Sequence, residues 1–331
     1  MTGPPPAVAA VRSAVRRDLA ALAAPAGSLV LAAVSGGPDS LALAAALAFA
    51  APAAGLRAGA LTVDHGLWAG SSAQAACTVE LCARLGLEPV RCTRVVVGPG
   101  AGPEDAARRA RHTALTAAAQ ELGAVAVLLG HTRDDQAEQV LLGLARGSGA
   151  RALAGMPPVR GLLRRPLLAL PRASTAAACA ALGLDVWHDP ANADPAYARA
   201  RARHDALPAL EAALGPGIAA ALARSARLLR ADADALDAMA VQALAACRSP
   251  RGLAVAPLGA LAPAVRGRVL RAHTAKPLSA GQVASAEALV TAWRGQGPVS
   301  LPGGGRLARE GDELVVLAPP LGRPGGPVEG S

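Results

Sequence analysis

A chain of 331 residues is long enough for a full hydrophobic core and, at about 100–200 residues per domain, for two domains. Apolar residues make up 52% of it, but alanine dominates them, and the longest uninterrupted run, Leu41 to Ala51, stops at Pro52, too short to span a membrane. The net charge of +9 favours a polyanionic partner such as nucleic acid; Lys276 is the only lysine, so the arginine excess also reflects the alanine-, glycine- and proline-rich bias of the whole chain.

The first twenty residues place arginines where a secretion signal needs an apolar core, so a cytoplasmic protein is expected. The five cysteines have no C-x-x-C spacing and are odd in number, which points to neither a disulfide framework nor a zinc site. Leu29 to Val34 has the length and composition of a buried strand, and Leu41 onward is an alanine- and leucine-rich helix former. Between them lies Ser35-Gly36-Gly37-Pro38-Asp39-Ser40. Glycines let a backbone approach a ligand and turn its N–H groups inward, serines add hydroxyl donors, and the positive end of the following helix favours an anion. No Gly-Lys-Ser/Thr follows, so this is not a Walker loop. The SGGPDS instead resembles the PP-loop of the ATP pyrophosphatases, which split ATP between its α and β phosphates; taken alone, it is also an ordinary turn composition.

Strand and helix patterns then alternate. Arg57 to Val63 reads as a strand, Ser71 to Leu85 as a helix, Val90 to Val97 as a strand, Glu104 to Leu122 as a helix, Val125 to Leu129 as a strand and Asp134 to Leu144 as a helix. The alternation predicts an α/β fold with a doubly wound parallel sheet, whose ligands sit beyond the carboxyl ends of the strands. Asp64 and His65 follow one strand end. The helix after Pro103 carries Glu104, Arg108, Arg111 and His112; Glu104 and Arg108 suit an exposed pair, and Arg108 and Arg111 share a face that suits a phosphate or carboxylate. His131, Asp134, Asp135 and Glu138 crowd another strand-to-helix junction. Capping accounts for one or two of those carboxylates; the full set suits a metal ion or an amine.

In order along the chain stand SGGPDS, VDHGL, E-x-x-x-R-x-x-R, GHTRDDQAE, RGSG, Leu153-Ala154-Gly155-Met156, Arg165-Pro166-Leu167-Leu168, Asp189-Pro190 with Asn192, and Tyr197, Arg199 and Arg203-His204 before Leu207-Pro208. From about Val30 to Leu210 this series resembles the tRNA(Ile)-lysidine synthase family. Trp68, His112 and Gln139 depart from the family pattern, and Trp68 stands where an arginine is usual.

The resemblance implies the PP-loop ATP pyrophosphatase fold, adenine nucleotide alpha hydrolase-like, over residues 1–215. It also implies a smaller, mainly helical tRNA-binding domain over 216–318; there Val299 to Leu301 and Leu314 to Leu317, short runs separated by glycine turns, read as a small hairpin, and the glycine- and proline-rich 319–331 is expected to be disordered. It implies ATP-dependent ligation of free L-lysine to C2 of the wobble cytidine of tRNA(Ile) with a CAU anticodon. On this reading Ser35, Gly36, Gly37, Pro38, Asp39 and Ser40, with Asp64 and His65, hold ATP, and Asp39 also binds Mg2+. Asp39, His131 and Asp134 serve the chemistry, Arg111, Asp135 and Glu138 bind lysine, and Arg199 and Arg203 contact tRNA. Two alternatives remain at this stage: another PP-loop enzyme such as a tRNA thiolase, which usually needs paired cysteines, and a non-enzymatic RNA-binding protein on a degenerate nucleotide fold.

Overall fold

The computed structural model describes residues 3–64, 66, 70–95 and 103–318, without the side chains of 103–108 and 191. His65, Trp68 and the tail 319–331 therefore lie outside the described residues, as do the side chains of Glu104 and Arg108. The chain divides into two compact units, Met1–Arg230 and Ala231–Ser331.

The first unit begins with helix α1 (Pro6–Leu22), then alternates β1 (Leu29–Ala33), α2 (Pro38–Ala50), β2 (Arg57–Asp64), α3 (Ser71–Arg84), β3 (Val90–Arg94), α4 (Pro103–Glu121), β4 (Ala124–Leu129) and α5 (Arg133–Ala145). After a short α6 (Ala150–Leu153) come the two-residue strands β5 (Val159–Arg160) and β6 (Leu163–Arg164), then α7 (Arg172–Ala181), α8 (Ala198–Arg201), a π turn over Ala202–Ala206 and α9 (Leu207–Leu214). The strands form one sheet in the order β3-β2-β1-β4-β6-β5, parallel except for the β5–β6 pair. This is the predicted doubly wound fold.

The two-residue period of a strand explains how the core divides. Val30 and Ala32 of β1, with Ala126 and Leu128 of β4, face a cluster shared with α1, α2 and α7; Leu29 and Leu31, with Val127 and Leu129, face a second cluster containing Leu115, Ala118 and Ala119 of α4. Both faces are covered, so β1 and β4 read as continuous apolar runs rather than as alternation. Chain order reverses at β1, which pairs with β2 on one side and β4 on the other. The loops leaving β1 and β4 therefore diverge and open a crevice at their carboxyl ends.

The second unit takes up the remainder of α10 (Ile218–Cys247), then β7 (Leu253–Ala254), α11 (Val255–Ala260), α12 (Pro263–Thr274), α13 (Ala280–Thr291), β8 (Val299–Ser300), β9 (Arg306–Glu310) and β10 (Glu313–Leu317). The terminal hairpin is β9–β10 rather than Val299 to Leu301 paired with Leu314 to Leu317: Val299–Ser300 is the edge strand β8 of a four-stranded antiparallel sheet ordered β7-β10-β9-β8. Leu253, Leu258, Val269, Leu270, Leu289, Leu307 and Leu314 form its separate core. No single helix among the described residues is long and apolar enough to cross a membrane.

Candidate active site

The turn after β1 is built by its own side chains. Ser40 Oγ accepts from the Ser35 amide at 3.1 Å and donates to the Gly37 carbonyl at 2.9 Å, closing the loop onto the first turn of α2. Gly36 has φ +86°, and a Cβ there would come within 2.9 Å of Gln74 Nε2 and 3.0 Å of Thr78 Oγ1. Gly37 caps the helix at φ −75° and ψ 161°. A Cβ on it would meet nothing nearer than Ser35 Oγ at 3.7 Å. The conformational demand thus falls on Gly36, while Gly37 matters for what approaches from the ligand side. The Trp187 amide donates to the Gly36 carbonyl at 2.9 Å and holds the turn from outside. The first amides of α2 have no carbonyl inside the helix to bond, and with the helix dipole they form an anion cradle.

At the end of β4, Gly130 touches the start of α2: a Cβ there would lie 2.9 Å from the Asp39 carbonyl carbon and oxygen and 3.0 Å from the Ser40 nitrogen. Only a glycine permits that contact, and it brings Asp39 against the start of α5. There Thr132 caps the helix, its amide and hydroxyl donating to Asp135 Oδ2 at 2.7 and 2.8 Å. Asp134 turns the other way and accepts the first amide of α7, Arg172 N, at 2.8 Å. Capping thus occupies one oxygen of each of these two aspartates.

Glu138 has no such role. Its side chain is 0% exposed and surrounded by three arginines that are each 23% exposed. Arg172 Nη2 donates to Oε1 at 3.0 Å, Arg203 Nε donates to Oε1 at 2.8 Å, and Arg199 Nε lies 3.3 Å from Oε2. Arg172 also donates to Asp135 Oδ1 at 3.0 Å, and its Nε lies 3.6 Å from Asp39 Oδ2; Thr175 donates to Asp39 Oδ1. Asp39, Asp135 and Glu138 therefore face Arg172, Arg199 and Arg203 in one buried cluster. A carboxylate with no exposure needs such partners, because an unpaired buried charge is costly.

Ionisation follows this packing. Burial, with help from the nearby Asp135 charge, raises Asp39 above the ordinary carboxylate value against the opposing effect of Thr175 and Arg172. Burial also acts to raise Asp135, but Arg172, His131 and the Thr132 amide outweigh it and hold the carboxylate low. Burial opposes the charge of Arg172, yet Asp135 and Glu138 raise its pKa further. His131 is held well below the ordinary imidazole value by burial, despite Asp135, and the positive charges of Arg111, Arg165 and Arg199 push it the same way. It is a neutral imidazole at pH 7, and its Nδ1 is buried without a hydrogen-bond partner.

The structure thus brings together Asp39, His131, Asp134, Asp135, Glu138, Arg199 and Arg203, with Arg111 close enough to bias His131. Asp64 stands apart: Oδ1 accepts the Gly66 amide at 2.9 Å and Oδ2 the Ser72 hydroxyl at 2.8 Å, tying the end of β2 to α3. These bonds, the Gly66 amide first, hold its pKa below the ordinary value. Sequence reasoning missed Arg172, Thr175, Gln136 and Gly130. Gln136 donates to the Met156 carbonyl at 3.0 Å and accepts its amide at 2.6 Å, and Arg230 binds the Ala154 and Gly155 carbonyls at 2.7 and 2.6 Å. The signal for Arg172 was weak, since one arginine before an alanine-rich helix reads as surface charge. The cysteines are all free, and burial pushes the Cys82 and Cys179 thiols up to about 11.

The PP-loop domain family matches residues 11–210 and the TilS substrate binding domain family matches 253–315. A U34-tRNA thiolase from Methanococcus maripaludis shares the fold at a TM-score of 0.57 and 20% identity, covering 68% of this chain and 80% of its own. Nearer relatives are the tRNA(Ile)-lysidine synthases of Thermobifida fusca, 54% identical over 96% of this chain and 100% of the relative, and Salinispora arenicola, 57% identical over 95% and 97%. Identity of that order along both units, with a phosphate turn and a carboxylate–arginine cluster at one switch point, means that the chain belongs to the tRNA(Ile)-lysidine synthase family.

Proposed function

We propose that the chain joins free L-lysine to C2 of the wobble cytidine in the CAU anticodon of tRNA(Ile), changing its codon reading from AUG to AUA. It is a ligase that forms a carbon–nitrogen bond and uses ATP. The observation that carries the finer reading is that Asp39, beside the phosphate turn, and Asp135 and Glu138 share one guanidinium, that of Arg172. A nucleotide side and an amine side thereby adjoin.

The C2 oxygen of the cytidine attacks the α phosphate of ATP, and pyrophosphate leaves. The lysine amine, after giving up a proton, then forms the N–C2 bond as the C2–O bond to AMP breaks. A carbonyl oxygen leaves poorly until it is adenylated, so the first step makes the second feasible. The turn from Ser35 to Ser40 receives the β and γ phosphates and the departing pyrophosphate through backbone amides at a helix N-terminus.

Mg2+ fits beside Asp39. Oδ2 lies 3.6 Å from Arg172 Nε, too far for a hydrogen bond, and so keeps lone pairs for a cation. A single carboxylate suits an ion held together with substrate phosphates, which would supply charge neutralisation at the triphosphate.

Asp135 and Glu138 are assigned to the lysine ammonium and Arg111 to its carboxylate, with His131 and Asp134 orienting the reacting groups. In the structure Arg199 and Arg203 sit on Glu138, so an incoming ammonium takes the place of a guanidinium, which then becomes available to a tRNA phosphate. A tRNA substrate also places the protein in the cytoplasm. The test is incubation with ATP, Mg2+, labelled lysine and the isoleucine tRNA. Lysine should enter the tRNA only with ATP; incorporation without ATP, or none from folded protein, would sink the reading.

A further inference from the structure

The carboxylates of the cluster belong to two helices, Asp39 to α2 and Asp135 and Glu138 to α5, and a third element bridges them. Arg172, the first residue of α7, has Nε 3.6 Å from Asp39 Oδ2, and its Nη2 donates at 3.0 Å to both Asp135 Oδ1 and Glu138 Oε1. Thr175, fully buried one turn later, donates to Asp39 Oδ1. The frame is fixed from below, because Asp134 accepts the Arg172 amide at 2.8 Å and so registers α7 against α5. Arg199 and Arg203 reach the cluster from α8 and the π turn, but among the described residues Arg172 is the guanidinium with ion pairs to both Asp39 and Glu138.

We propose that Arg172, supported by Thr175, is a positioning residue for both steps of the reaction, aligning Asp39 for adenylation and holding Asp135 and Glu138 in place for the amine. This rests on the lysidine reading above. The planar guanidinium faces two directions at once: Nη2 hydrogen-bonds the carboxylates of one helix, while Nε, buried without a hydrogen-bond partner, lies 3.6 Å from the carboxylate of the other. A lysine ammonium at the same site is a point charge on a flexible stem and cannot hold both. Of the three carboxylates Thr175 hydrogen-bonds Asp39, and its hydroxyl also lies 2.7 Å from the Arg172 carbonyl, so its side chain bears on the Asp39 end of the bridge.

The experiment compares Arg172→Lys and Thr175→Val with wild type. Adenylation is followed as pyrophosphate release from ATP and tRNA without lysine, and the second step as the lysine KM for product formation, each per folded molecule. Arg172→Lys should lower the adenylation kcat by about a hundredfold, as expected of misplaced reacting groups, with little change in the ATP KM. It should also raise the lysine KM by about tenfold, the scale of one charge-assisted hydrogen bond. Thr175→Val should slow adenylation and leave the lysine KM unchanged, and it serves alone should Arg172→Lys fail to fold. A lower Tm with wild-type kinetics in both variants would overturn the proposal, as would a raised lysine KM in Thr175→Val. A folded wild type that releases no pyrophosphate would overturn the lysidine reading, and this proposal with it.

Discussion

Arg203 Nε donates to Glu138 Oε1 at 2.8 Å, although the two residues are 65 positions apart and Glu138 has no exposure of its own. A residue read from sequence as a tRNA contact and one read as an amine ligand are thus each other's counter-ions in this structure. Glu138→Gln keeps size and an acceptor oxygen but leaves three guanidiniums without that charge. Breaking a buried ion pair in this way should cost about 3 kcal/mol of stability. In the folded variant the lysine requirement should rise about ten- to hundredfold, the scale of a lost charge-assisted hydrogen bond, while adenylated tRNA accumulates. Lysine dependence measured beside adenylated-tRNA yield decides the point; an unchanged requirement would remove Glu138 from the pocket.

Two glycines of the phosphate turn should respond differently. Gly36→Ala forces a Cβ into φ +86° and within 2.9 Å of Gln74 Nε2, at a cost of about 1–3 kcal/mol. Gly37→Ala finds ordinary contacts at 3.7 and 3.8 Å and should melt like wild type. Both should weaken ATP binding, and in Gly37→Ala that loss reports the ligand side alone. Wild-type ATP affinity in Gly37→Ala would make the turn an ordinary connection.

His131 links stability to pH. Burial holds its folded-state pKa well below the ordinary imidazole value of 6.5, so the stability linked to its neutral form is complete above pH 6.5 and falls as pH drops from there towards the folded value. Each pH unit in that window costs up to about 1.4 kcal/mol for one proton taken up on unfolding. Asp135, Arg111, Arg165 and Arg199 face the ring. His131→Asn should remove this slope and leave that of His273, which burial also depresses. Denaturant titrations from pH 7.5 to 5 measure the difference; parallel curves for the two proteins would show that His131 does not carry the linkage.

Arg271 and Arg306 are exposed in the second unit, and both fall within the matched substrate-binding region, 253–315. If each meets a phosphate, the double change to glutamine should weaken tRNA binding and flatten its salt dependence by about 0.7–0.9 per contact in log K against log salt. ATP affinity should not move. Equal slopes would assign the tRNA contacts elsewhere.

Most of the catalytic unit was legible because its signals are local. Apolar runs such as Leu29 to Val34 mark buried parallel strands, and SGGPDS marks the turn between strand and helix. What was not legible depends on contacts distant in sequence. Arg172 and Thr175 matter only because α7 returns 136 positions later in the chain to meet Asp39. Asp64 sits beside a motif, and that its oxygens bond the Gly66 amide and the Ser72 hydroxyl could not be read from the residue type alone. In the second unit, β9 reads RLARE; its charged, half-exposed pattern concealed a strand whose Leu307 is fully buried.

The burial of Glu138 beneath three arginines that are only part-exposed sets those pairs apart from the arginines lying fully on the surface. Pairs shut away from water are screened little by dissolved salt, whereas exposed arginines lose their hold on a polyanion steeply as ions are added. If the exposed arginines carry the tRNA contact, added salt should weaken tRNA capture more than it disturbs the pairs around Glu138. Such an arrangement should shed nucleic acid in concentrated electrolyte before its reaction centre is disturbed.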